Sequence, residues 1–153
     1  MAKIIEYNDL YKAQTKKFIL RILIEEFGLD TFERPDLDAI RSVYQEGGSN
    51  FWIAVENNKV IGSVAIINYG NKRGYLKRMY VDKEYRGSGL AKRLLGTAVK
   101  YARASGIKVI FLGTIEGMGA ANKFYKKNGF ERIEKLPDDL PGFGDTIFYK
   151  LTL

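Results

Sequence analysis

The run Arg86-Gly87-Ser88-Gly89-Leu90-Ala91 places two glycines one residue apart, between a short apolar segment (Met79 to Val81) and the start of an amphipathic one. At a junction of strand and helix, residues without a side chain let a ligand come close to the backbone. The first helical turn leaves amide N–H groups without partners. Together with the positive end of the helix dipole, these make a phosphate site. The spacing is an incomplete dinucleotide fingerprint, because Lys92 stands where G-x-G-x-x-G needs its third glycine, and no G-x-x-x-x-G-K-[ST] string occurs. A phosphorylated ligand held by backbone is the expectation, with a turn that merely caps a helix as its plain rival.

The residue types that are missing narrow the chemistry further. The 153 residues include no cysteine and no histidine. That removes disulfides, thiolate nucleophiles, Ser-His-Asp and Cys-His triads, and zinc hydrolase sites, so no metal is expected. Tyr, Asp, Glu, Lys, Ser, backbone amides and water remain to handle protons. The net charge of +7 comes from scattered lysines, which reads as a solvated surface and argues against nucleic acid as a partner. No apolar stretch has the length of a signal peptide or a membrane span, so no membrane partner and a cytoplasmic location are expected.

These residues need elements to position them. Lys3 to Tyr7 reads as a strand, Tyr11 to Phe27 as a helix ended by Gly28, and Asp36 to Tyr44 as a second, short helix. Phe51 to Glu56 and Lys59 to Tyr69 form a hairpin about Asn57-Asn58, and Arg73 to Asp82 is a fourth strand. After the glycines, Ala91, Leu94, Leu95, Ala98, Val99 and Ala102 share a stripe that stops at Ser105-Gly106. Lys108 to Leu112 is apolar enough for a strand buried on both faces, so strand, helix and strand make a parallel pair. Ala120 to Lys127 is a helix with Asn128-Gly129 as its left-handed cap. Phe130 to Glu134 and Thr146 to Leu151 are strands, separated by a surface loop from Leu136 to Asp145. The whole is one α/β domain over 1–153.

With the elements in this order, the chain resembles the GNAT superfamily of acyl-CoA-dependent N-acetyltransferases. Arg86, Gly87-Ser88, Gly89, Leu90, Ala91 is similar to that family's pyrophosphate motif, and YVDKEYRG before it to the family's strand-end signature. ANKFYKKNGF, from Ala121 to Phe130, is similar to its second motif. The resemblance implies a mixed, V-shaped sheet of about six to seven strands with about four helices, and acetyl-CoA as cosubstrate. It puts pantetheine on the backbone near Met79 and Val81, and the diphosphate on Gly87 to Ala91 with Arg86 beside it. It implies an acetyl group moved directly to a small-molecule or peptide amine, and it leaves a homodimer open.

The same resemblance makes Tyr125 the general acid that protonates the departing thiolate. As one face of a helix with Ala121 and Phe124, Tyr125 also reads as core packing. Asn122, one turn earlier, is a candidate for the cofactor's amide groups or a plain surface residue. The strand end where many family members carry a carboxylate has Gly113 here, so Glu116 becomes the candidate general base, with a chain of waters as its rival. Lys77 and Arg78, on opposite faces of the fourth strand, are candidates for steering an acidic substrate group. The gap at Gly113 also keeps a different class in view, an acyl-CoA sensor without catalysis.

Overall fold

A computed structural model describes residues 1–28, 34–115 and 119–153. Its elements are β1 (Lys3–Glu6), α1 (Lys12–Phe27), α2 (Ile40–Tyr44), β2 (Asn50–Glu56), β3 (Lys59–Gly70), β4 (Arg73–Val81), α3 (Leu90–Ala104), β5 (Val109–Thr114), α4 (Gly119–Lys127), β6 (Glu131–Ile133) and β7 (Ile147–Thr152). The strands form one sheet in the order β1-β2-β3-β4-β5-β7-β6. The first hairpin closes as its sequence asks, with Asn57 and Asn58 both at positive φ, the conformation that matches the twist of paired strands.

Each face of the sheet has its own core. Along β2 the side chains alternate, so Trp52 and Ala54 join Leu94, Ala98 and Ala102 of α3, while Phe51 and Ile53 join Phe18, Ile19 and Ile22 of α1. The expected second helix is split. A 3-10 turn over Pro35–Asp38 and the short α2 are separated at Ala39, whose φ of −141° is not helical.

One junction in the sheet positions everything that follows. β4 and β5 run parallel and pair only over Arg73–Tyr75 with Val109–Phe111. Beyond that, β5 pairs with β7 out to Thr114, and β4 continues to Val81 against β3 alone. The two central strands therefore part at their C-terminal ends. A small third core, with Tyr75, Phe111, Leu136 and Leu140, lies on one side of the parting. The loop before β7 supplies two of its members.

Candidate active site

The glycine turn follows β4 through a 3-10 turn at Lys83–Tyr85. Asp82 caps that turn, accepting from the Glu84 amide at 3.0 Å, and is ion-paired with Arg21 of α1 at 2.9 Å. Gly87 and Gly89 have φ of +79° and +86°, a region that costs residues with a Cβ. Gly89 is the N-cap of α3 and, having no side chain, makes no cap hydrogen bond. Among the described residues the amides of Gly87, Gly89 and Ala91 find no protein acceptor, while that of Ser88 donates to the Tyr85 carbonyl at 3.3 Å. The Ser88 hydroxyl also donates to that carbonyl and accepts weakly from the Leu90 amide. The Arg86 guanidinium is occupied: it binds Glu26 of α1 and, at 3.2 Å, the Val81 carbonyl.

A cleft of about 610 Å³ runs from the C-terminal end of β4 across this turn. Met79 and Val81 of β4 line it with Arg86, Gly87, Gly89, Leu90 and Ala91, and Phe124 and Tyr125 of α4 form the opposite wall. Lys92 and Lys127, both exposed, stand at the rim and add positive charge. The sequence reading did not pick out these lysines, although Lys92 occupies the very position that spoils the dinucleotide fingerprint.

The backbone of β4 is distorted on entering the cleft. Ser63 pairs with Tyr80 and Ala65 with Lys77, so Val64 faces two residues, Arg78 and Met79. This bulge holds Arg78 at φ +53° and is fixed by the Ser63 hydroxyl, which donates to the Arg78 carbonyl at 2.7 Å. Bulges re-aim side chains, and here Lys77 and Arg78 do not keep simple alternation. Both feel the charge of Asp36. Arg78 grips Asp36 through two nitrogens, at 2.9 and 3.0 Å, and Asp36 also accepts the Tyr44 hydroxyl at 2.6 Å. Burial alone would raise the Asp36 carboxyl, but Arg78 and Tyr44 hold it below the ordinary carboxylate value.

Tyr125 lies half-buried in the cleft wall, its ring against Phe124, Phe130 and Tyr149 at 5.7, 5.5 and 6.1 Å between centroids. It therefore packs into the core and reaches the cleft at once. Burial pushes its phenol well above the ordinary value, and Tyr80 and Asp145 push in the same direction. Asn122 does not line the cleft; its side-chain oxygen accepts the Tyr149 hydroxyl at 2.7 Å. Glu116 lies outside the described residues.

At the end of β5 the third core meets the parted strands. A Cβ built on Gly113 would come within 2.6 Å of an Asp145 carboxylate oxygen and 2.7 Å of the Tyr75 hydroxyl. Tyr75 is 1% exposed, and its hydroxyl has no hydrogen-bond partner among the described residues. Asp145 sits just before β7, where the Thr146 amide donates to the Thr114 carbonyl at 3.0 Å. Lys77 lies 3.5 Å from the ring centre of Phe143. Burial, aided by Arg78, lowers its ammonium to about 8, against the pull of Asp36 and Asp145. Burial raises the Asp145 carboxyl to about 6, with Lys77 opposing. The sequence reading missed Asp145 and Tyr75 altogether. Nothing local marks Asp145, which sits in a loop set aside as surface. Among the described residues no cluster of acidic side chains could hold a metal ion.

Residues 10–130 match the family model described as Acetyltransferase (GNAT) family. A solved acetyltransferase of GNAT family from Staphylococcus aureus Mu50 is 36% identical and superposes with a TM-score of 0.93, covering 99% of both chains. The uncharacterized N-acetyltransferase YjgM of Escherichia coli (strain K12) is 31% identical over 124 residues, 76% of this chain and 74% of that one. N-acetylaspartate synthetase of Danio rerio is 35% identical over 117 residues, 74% of this chain but 42% of the synthetase. This chain thus spans less than half the length of that relative.

Proposed function

This chain belongs to the GNAT family of acetyltransferases, and from that premise we propose that it moves an acetyl group from acetyl-CoA directly to a primary amine. The observation that carries the reading is the cleft itself, which runs from β4, beyond its pairing with β5, to a helix N-terminus where the amides of Gly87, Gly89 and Ala91 find no acceptor among the described residues. Free amides at that turn suit a diphosphate, and Lys92 and Lys127 suit its charge. Met79 and Val81 would hold the pantetheine arm through β4 backbone, while Arg86, Ser88 and Leu90 shape the turn. Asn122 belongs in this scheme as a brace for Tyr149. The domain in which this happens is the whole of 1–153, its setting the cytoplasm, and its acceptor a small molecule or a peptide amine.

A thioester is already activated, so the protein's task is to align an amine with it and to manage protons. Tyr125 stands in the wall where the thiolate would depart and supplies the proton. Its raised pKa keeps it protonated at neutral pH, as a donor must be. Calorimetry with acetyl-CoA, followed by thiol release against a panel of amines, tests the reading. Tight binding together with amine-dependent release is the expected outcome. Binding without release for every amine would make the protein an acyl-CoA sensor, and no binding would end the proposal.

A further inference from the structure

An amine that is protonated near neutral pH must give up a proton before it attacks, and the strand end where a carboxylate would receive it carries Gly113. We propose that Asp145, entering from the segment before β7, is the catalytic proton acceptor and occupies the side-chain space that Gly113 leaves open. This rests on the acetyltransferase reading.

The space and its contents support it. An Asp145 oxygen lies 2.6 Å from the position a Gly113 Cβ would take, so the chain carries a carboxylate beside β5 without attaching one to it. The groups facing Asp145 are Tyr75 and Lys77 from β4 and Tyr125 from α4. Asp145 and Tyr125 interact electrostatically, which puts acid and base within reach of one another. Tyr75 brings a second observation: a buried hydroxyl that finds no partner among the described residues converges on the same spot, and a buried polar group of this kind needs a polar partner. At about 6, the carboxyl is ionised at neutral pH and still more basic than an ordinary aspartate.

The proton balance closes. Asp145 takes one proton from the substrate ammonium, directly or through one water, and releases it to solvent. As the C–N bond forms and the C–S bond breaks, Tyr125 gives its proton to sulfur and regains one from the nitrogen. The products are an amide, a thiol and one free proton.

The test is Asp145→Asn, assayed with acetyl-CoA and the best acceptor from a panel of the twenty L-amino acids, spermidine and an alanine-led peptide. We expect kcat to fall about 10²-fold or more. The wild-type loss of rate below pH about 6 should vanish, and acetyl-CoA affinity by calorimetry should be unchanged. Lys77→Met, which removes the cation that favours the carboxylate, should move the wild-type acid limb to higher pH. A near-normal kcat in Asp145→Asn, a persisting limb, an unmoved limb in Lys77→Met, or acetyl-CoA affinity lost in step with rate would each overturn the assignment. A wild type that binds no acetyl-CoA would instead overturn the acetyltransferase reading on which it stands.

Discussion

The glycine turn after β4 and the end of β5 are built on opposite principles. At the turn the candidate groups are backbone amides within one short run, those of Gly87, Gly89 and Ala91, and two of the nearby charges are already paired, Arg86 with Glu26 and Asp82 with Arg21. At the β5 end the groups are side chains from three separate segments, and several are dehydrated without being neutralised. Lys77, Asp145 and Tyr75 all have pKa values displaced by burial. Such displacement is what proton chemistry uses and what simple anion binding does not need. The turn is therefore suited to holding a ligand, and the β5 end to changing one.

That contrast can be broken most directly at Tyr125, the proposed proton donor. Tyr125→Phe keeps the three ring contacts and removes the hydroxyl, so kcat should drop about 10²-fold with acetyl-CoA affinity and melting temperature nearly unchanged. A large melting shift with the rate per folded molecule intact would return the residue to the core.

Next in size comes Gly113→Ala, a probe of how tightly the β5 end is filled. The new methyl would press on both Asp145 and Tyr75, including the Asp145 Cβ at 2.8 Å, which has little freedom to retreat. Displacing a catalytic group by such amounts costs on the order of ten- to a hundred-fold in rate. Steady-state kinetics should show this in kcat, with the calorimetric acetyl-CoA constant left alone. The glycine turn should answer the reverse way. A Cβ at Gly89 meets nothing within 4 Å, but φ of +86° is strained for a branched residue. Gly89→Val should weaken acetyl-CoA binding several-fold, destabilise by about 1–3 kcal/mol and leave kcat at saturation near normal. Unchanged affinity would mean that the cofactor lies elsewhere.

The smallest effect concerns stability. Because the Asp145 carboxyl sits near 6 in the fold against a reference of 3.8, folding favours its protonated form. Its contribution is fullest below 3.8 and is lost as pH rises through about 6. Asp145→Asn should therefore melt higher than wild type at pH 8, with the gap closing towards pH 4. A variant that is inactive yet more stable would mark a group kept for chemistry at the expense of the fold.

Much of this was legible in the residues alone. Periodicity of two and of 3.6, Asn-Asn and Gly punctuation, and the two glycines located the strands, the longer helices and the left-handed turn before α3, because each depends on neighbours within a few positions. The notch between β4 and β5 was reachable only through the family resemblance, since no local pattern states where two parallel strands stop pairing. The absence of Cys and His fixed which chemistries were closed, and Gly113 marked a carboxylate missing from its strand. What fills that gap was decided by tertiary structure. The antiparallel pairing of β7 with β5 lays Ile147 beside Thr114 and brings the segment before it, with Asp145, against Gly113. The β4 bulge likewise turned Lys77 and Arg78 from the strict alternation that a regular strand would impose. Backbone sites made of contiguous residues are written locally. A site made of side chains from β4, α4 and a loop exists only once burial has drawn them together and shifted their proton affinities.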